Sequence, residues 1–280
     1  MTTPPEYLLI GHVTADIKQG QQFLGGTVSY ALPVALAFGQ QVAILTSARA
    51  DEPLLTPIVP QATLMNLTAP QTTVFENVYH AETRTQTLHS RALTLEYAHV
   101  PSGWQDVSLV HLAPVANEID PQMLTRFPNS TVLLTPQGLL RQWDKEGRVT
   151  FKRWFDPELL QAVNVVVFSK QDIAEDPTLE HDFASVVDHV FVTDGARGGI
   201  YYQSGVAKPY EAIPAIEVDP TGAGDVFATA LLACLPMVGF SWLKALEVAR
   251  HLAALSVTHS GIGGITEVEV LDVVGKANHA

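Results

Sequence analysis

Apolar residues in this chain come in short unbroken runs more often than in alternation. Six runs, YLLIG (7–11), QVAILTS (41–47), VSLVHLA (107–113), TVLLTP (131–136), NVVVFS (164–169) and HVFVTD (189–194), are rich in Val, Leu and Ile. Strands covered on both faces have this character, because neither side of the pleat has to meet water. Helical signals lie between them. GGTVSYALPVALAFG ends at Gly39, a residue suited to the position just past a helix. DPQMLTRF and DPELLQAV each open with Asp as N-cap and Pro at the first helical position. Repeated strand–helix units predict an α/β fold: a doubly wound, mainly parallel sheet with helices on both faces.

One segment breaks that rhythm. Thr72 to Glu96, TTVFENVYHAETRTQTLHSRALTLE, is rich in Thr and Val and partly alternates polar with apolar. It predicts antiparallel strands exposed on one side, able to project as a β lid over the sheet edge. A hairpin is expected over 198–211, turning near Ser204-Gly205. No internal repeat or low-complexity linker divides the chain. Residues 1–280 therefore read as a single domain, with lid elements at about 15–24 and 72–97 inserted in it.

Composition narrows the partners. Of 280 residues 47% are hydrophobic, enough for a large core. The net charge of −13 repels phosphate backbones and anionic lipid, which argues against nucleic acid and membrane. Cys234 has no partner within the chain, as suits a reducing compartment. MTTPPEYLLIGH has no basic region ahead of a long apolar segment, so no signal peptide is expected and the location is read as cytoplasmic.

Candidate chemistry concentrates in EVDPTGAGDVFATALLACL (217–235). A helix start offers free backbone N–H groups and a positive dipole end, and residues without bulk let an anion approach them. Gly222, Ala223 and Gly224 fit an anion hole at such a turn. Asp225 is out of place beside an anion unless it accepts a proton from a hydroxyl that attacks phosphorus. The same residues also fit an ordinary glycine-containing helix cap, with Asp225 as a favourable first-turn charge.

DPTGAGD (219–225) resembles the C-terminal signature of the PfkB (ribokinase-like) carbohydrate kinases. FLGGTVSYALPVALAFG is similar to that family's N-terminal Gly-Gly motif, VTDGARGG (192–199) to its nucleotide-proximal turn, and LAALSVTHSGIGG (252–264) to its C-terminal segment. The resemblance runs in order over essentially the whole chain. It implies a ribokinase-like fold and ATP-dependent, magnesium-assisted phosphorylation of a sugar or related alcohol by a monomer or homodimer. By the same resemblance Asp225 is the base and Gly222, Ala223 and Gly224 are the anion hole. Asp16, Gly25 and Gly26 bind substrate, and Thr193, Gly195, Gly198 and Gly261 lie beside the nucleotide. Asp219, Thr221, Ser256 and Gly261 match positions that hold a monovalent cation, potassium for instance, in relatives.

The chain departs from that pattern in places. Pro220 stands where Thr or Ser is frequent, and Ser169 and Asp172 replace the usual N-x-x-E pair, leaving Asp172 to hold magnesium through water. The short interval from Asp16 to Gly25 implies a truncated two-stranded contribution to the lid. TPQGLLRQWD (135–144) faces the expected cleft, and Gln137 and Arg141 are candidate readers of acceptor hydroxyls. QGLLR, with GHVTADI, is similar to the plant-type myo-inositol kinases of this family, which puts a small cyclic polyol first. Nucleosides are less favoured, because Phe23 and Tyr79 cannot be assigned as an aromatic platform. A dinucleotide-binding G-x-G-x-x-G after the first strand, a P-loop and a zinc motif are all missing from the sequence. A non-catalytic nucleotide or sugar sensor is the rival from another class, and the retained Asp225 argues against it.

Overall fold

The computed structural model describes residues 5–80 and 83–279. Residues 1–4, where the N-terminal segment read for a signal begins, and 81–82, within the second expected lid element, lie outside it, as does the side chain of Tyr79. In chain order the elements are β1 (Tyr7–Ile10), β2 (Thr14–Lys18), β3 (Gln21–Gly25), α1 (Thr27–Ala37), β4 (Val42–Ala48), β5 (Thr63–Thr68), β6 (Thr73–His80), β7 (Thr83–Ser90), β8 (Leu109–Leu112), β9 (Thr131–Leu134), β10 (Arg141–Trp143), β11 (Val149–Phe151), α2 (Pro157–Leu160), β12 (Val165–Ser169), α3 (Leu179–Val186), β13 (His189–Thr193), β14 (Gly199–Gln203), β15 (Val206–Tyr210), α4 (Ala223–Ala233), α5 (Trp242–Ser256) and α6 (Glu267–His279).

All six apolar runs are strands of one nine-stranded sheet, ordered β15-β14-β13-β12-β9-β8-β1-β4-β5. The pairs from β13 to β5 are parallel, and β14 and β15 close one edge as an antiparallel hairpin. Its turn falls at Ser204-Gly205, as expected, both with positive φ. The runs are largely apolar on both faces because each face of the sheet has its own core. Tyr7 and Leu9 of β1 point into one with α1, α4, α5 and α6, while Leu8 and Ile10 point into the other with α2 and α3. Helix α4 is buried from Val226 to Ala233, the mark of a helix enclosed on all sides.

The edge strand β5 carries no comparable apolar run and escapes the pattern. Two expected helices shrink to single turns. Asp120 does cap the Gln122 amide (3.0 Å) and Asp156 those of Glu158 and Leu159 (3.2 Å each). Pro128 then stops the first, a 3-10 turn over Pro121–Thr125, and the second gives way at once to the approach to β12.

A smaller sheet, ordered β3-β2-β6-β7, stands over the carboxyl ends of the main strands. Its β2–β3 half is complete, contrary to the truncation expected from the short interval after Asp16. Two five-residue strands fit because Gln19 (φ 51°) and Gly20 (φ 78°) make the two-residue turn that matches strand twist. Strand β1 feeds β4 on one side, while β8 returns on the other. That reversal opens a crevice at the carboxyl ends of β1 and β8, where open α/β sheets bind ligands.

Gly26 sets the angle between β3 and α1. Its φ is +84°, and a Cβ there would lie 2.3 Å from the His12 carbonyl oxygen. Gly26→Ala should therefore lower unfolding free energy by ~2 kcal/mol or more in chemical denaturation. Gly20→Ala, at a similar φ with nothing within 4 Å, should cost ~1 kcal/mol.

Candidate active site

The glycine turn forms where the sequence places it, at the start of α4. Gly222 is the N-cap of α4 in the left-handed region (φ 82°), and a Cβ on it would lie 2.1 Å from the Tyr30 ring of α1. No other residue type fits this position. Gly224 differs: its φ is not positive and a Cβ would meet nothing within 4 Å. Gly222 therefore carries the backbone strain, and Gly224 keeps open the space in front of the turn. Asp225 follows in the first helical turn, half-buried, with its amide among the orphan donors of the helix start.

Around Asp225 stand Asp16, Arg141 and Asp172, all expected from sequence, and Thr27, which was not. Thr27, at the start of α1, hydrogen-bonds its carboxylate, and Asp172, Arg141 and Asp16 act on it through space. Loss of surrounding water, helped by the Asp172 and Asp16 charges, raises its pKa to about 6 against the pull of Thr27 and Arg141. Its main-chain carbonyl accepts the Thr229 hydroxyl at 2.8 Å.

Asp16 lies on β2 opposite Phe23 and Phe75 and accepts the Thr14 hydroxyl at 2.8 Å. Gly25 makes room for it, since a Cβ there would fall 2.5 Å from that carboxylate. Arg141 donates to the Val115 carbonyl (2.9 Å) and rests over the Phe75 ring. Gln137 donates to Asp172 Oδ1 at 3.1 Å. Asp172 Oδ2 accepts both the amide (2.9 Å) and the hydroxyl (3.0 Å) of Ser169, whose oxygen accepts the Asp172 amide in return. The Ser-x-x-Asp pair thus holds itself in place despite its short side chains. Asp16, Gly25, Gly26, Gln137, Arg141, Asp172 and Asp225 therefore converge on one crevice.

Thr193, Gly195 and Gly198 sit one strand further along, at the end of β13. Gly198 has φ 88°, and a Cβ would lie 2.1 Å from the Tyr210 carbonyl oxygen. Thr221, Ser256 and Gly261 line a cavity of about 10 Å³, roughly the space of one water. Asp219 accepts the amides of Thr221 (3.0 Å) and Gly261 (3.4 Å), and the Ser256 hydroxyl turns back to the Ala253 carbonyl. Burial works against the Asp219 charge, but those hydrogen bonds and the nearby Lys18 win and hold its pKa below the usual carboxylate range. Phe23 is exposed.

Glu118 anchors the crevice from below and gave no sign of doing so in sequence. Fully buried, it accepts the amides of His12 (3.0 Å), Val115 (3.0 and 3.1 Å) and Ala116 (2.7 Å). His12, pushed down in pKa by burial and therefore neutral, donates through Nε2 to the Leu93 carbonyl and accepts the Thr73 hydroxyl at Nδ1. Sequence hides the role because His12 lies 106 residues away, in the loop after β1, and Val115 and Ala116, in the loop after β8, bond through main chain, which carries no residue-type signal.

Fold and crevice together define the class: a doubly wound α/β protein with a helix-start anion turn, a carboxylate beside it and a small sheet above. A family model described as pfkB family carbohydrate kinase matches residues 166–268, so the chain resembles the PfkB, or ribokinase-like, family over that stretch. It is similar to inositol 3-kinase of Zea mays, 31% identical over 150 residues that make up 53% of this chain and 39% of that protein. It is 26% identical to inositol 3-kinase of Oryza sativa subsp. japonica over 92% of this chain and 69% of the relative. A solved pyrophosphate-dependent kinase of the ribokinase family, complexed with a pyrophosphate analog and myo-inositol, superimposes with a TM-score of 0.81. That match covers 95% of this chain and 99% of the other at 17% identity. Among the described residues no three His, Cys, Asp or Glu side chains converge as a metal cluster, and no helix is long and apolar enough to cross a membrane.

Two measurements follow. Folding raises the Asp225 pKa, so the folded state binds more protons between about pH 4 and 6 and loses stability as pH rises through that window. Asp225→Asn should remove this contribution, so its melting temperature should exceed that of the parent at pH 7 and converge with it near pH 4. Glu118→Ala should strand three backbone donors, lowering stability by ~3 kcal/mol or more in denaturant titration.

Proposed function

We propose that the chain is a kinase that transfers the terminal phosphoryl group of ATP to a hydroxyl of a small cyclic polyol, myo-inositol first and a sugar next. One observation carries the proposal: a carboxylate at the first turn of a helix that opens on a left-handed glycine, with Thr27, Asp172, Arg141 and Asp16 gathered around it. An ordinary first-turn Asp needs neither the enclosure nor the neighbours.

Asp16 accepts hydrogen bonds from adjacent ring hydroxyls, and Gly25 and Gly26 let the ring approach main chain. Gln137 and Arg141 read hydroxyls from across the crevice. Asp225 takes the proton of the attacking hydroxyl as its oxygen forms the new bond to phosphorus and the bond to the leaving phosphate breaks. The Gly222-Ala223-Gly224 turn holds the phosphoryl oxygens through its free amides, the Ala223 amide being given to the Pro220 carbonyl at 3.2 Å, and the helix start favours their charge. Thr27 orients the Asp225 carboxylate. Thr193, Gly195, Gly198 and Gly261 flank the donor. The smaller sheet acts as the lid of a single kinase domain.

Magnesium suits the hard oxygen donors of Asp172, and when bound it neutralises charge on the donor phosphates. Asp219, Thr221, Ser256 and Gly261 are the matching set for a potassium-sized cation. The protein is placed in the cytoplasm as a monomer or homodimer. A second donor, inorganic pyrophosphate, is favoured by the likeness to the pyrophosphate-dependent kinase.

The test is a panel. Inositols, hexoses, pentoses and nucleosides are each offered with magnesium and either ATP or pyrophosphate, and products are read by phosphorus NMR. Phosphorylated myo-inositol is the expected product, with kcat of Asp225→Asn lower by ~100- to 10,000-fold. The acid limb of kcat/KM should fall near pH 6, as Asp225 must be ionised to act. Efficient phosphorylation of a nucleoside alone would move the acceptor while sparing the kinase; no product with any pairing would end the proposal.

A further inference from the structure

Three charged side chains at the ends of β12 and β13 have no part in the chemistry above. Arg197 grips Asp194 with two bonds, Nε to Oδ2 at 3.0 Å and Nη2 to Oδ1 at 2.5 Å. Lys170 Nζ lies 3.8 Å from Oδ2 of the same carboxylate. The Asp194 side chain is 16% exposed, whereas those of Lys170 and Arg197 are 44% and 80% exposed. One carboxylate therefore holds two cations at the surface.

Their place in the fold gives them a direction. Lys170 follows Ser169, whose amide and hydroxyl hold Asp172, and its own amide donates to the Thr193 carbonyl at 2.9 Å. Asp172 in turn is near enough to Asp225 to act on its charge. The series Asp225, Asp172, Lys170, Asp194, Arg197 thus runs along the strand ends toward β13, away from β1 and Asp16, with strands ~4.8 Å apart. In-line transfer puts acceptor and leaving group on opposite sides of the phosphoryl. With the acceptor on the Asp16 side, the leaving phosphate extends over β12 and β13. Anionic oxygens there, next to Asp172 and Asp225, need cations.

We infer that Lys170 and Arg197 are the receptor for the leaving phosphate of the donor, and that Asp194 holds them ready when the donor is away. The inference rests on the kinase proposal. A guanidinium fork and an ammonium suit a phosphate better than the single carboxylate they now share. An exposed ion pair adds little to stability, so fold maintenance gives no reason for the cluster. Inorganic pyrophosphate and the β-phosphate of a nucleoside triphosphate present the same group here, and experiment separates them.

The test measures binding of magnesium pyrophosphate and magnesium ATP by calorimetry to the parent, Lys170→Ala, Arg197→Ala and Arg197→Lys, with donor and acceptor KM alongside. Each alanine variant should weaken the donor in use by ~10-fold or more. Arg197→Lys should fall between, and acceptor KM and melting temperature should not move. The donor whose affinity falls identifies the source of the phosphate. Donor affinity within twofold of the parent in both alanine variants overturns the inference and leaves the kinase proposal standing. A parent that binds neither donor overturns both. A parent that binds a donor through Lys170 and Arg197 yet phosphorylates nothing keeps the phosphate receptor and removes the kinase.

Discussion

A single buried carboxylate ties the crevice together. Glu118 sits where β1 and β8 part company, and its two oxygens satisfy amides from both departing loops. Buried amides without partners are costly, so the two loops hold this shape only with an acceptor between them. From that point the constraint spreads. His12, fixed through its amide, binds Thr73 and the Leu93 carbonyl and so fastens the smaller sheet. Val115, held the same way, offers its carbonyl to Arg141. The placement of Asp16 and Arg141 is downstream of these bonds.

The crevice is acidic on the acceptor side and mixed on the other. Asp16, Asp172 and Asp225 influence one another, with Arg141 as the counter-charge among them. Repulsion between carboxylates and loss of water act together to keep Asp225 a better base than a surface aspartate. The nearby cations lie elsewhere, at Lys18 near Asp219 and at Lys170 and Arg197 around Asp194. Such separation lets one site raise the basicity of its carboxylate without repelling an anion.

What was legible in the sequence is what local physics decides. Strands such as NVVVFS announce themselves because both faces meet apolar cores. The glycine turn before α4 was legible because bulk and charge change within four residues. The caps at Asp120 and Asp156 were read correctly, but helix length was not, since it depends on where the next strand must begin. The interval from Asp16 to Gly25 implied a truncated pair of strands, and positive φ at Gln19 and Gly20 lets a two-residue turn leave five residues to each. Thr27 and Glu118 were invisible as structural anchors, because nothing in a lone Thr or Glu distinguishes a pinned side chain from a solvated one.

The packing of Tyr30 against Gly222 has an evolutionary consequence. The ring fills the space a side chain at 222 would need, and the left-handed backbone there excludes branching even if the ring were gone. Drift at position 30 is therefore one-sided. A smaller residue opens a void that position 222 cannot fill, so a compensating change must come from elsewhere on α1 or α4. Among related chains the glycine should stay fixed while the aromatic partner varies in step with its other neighbours.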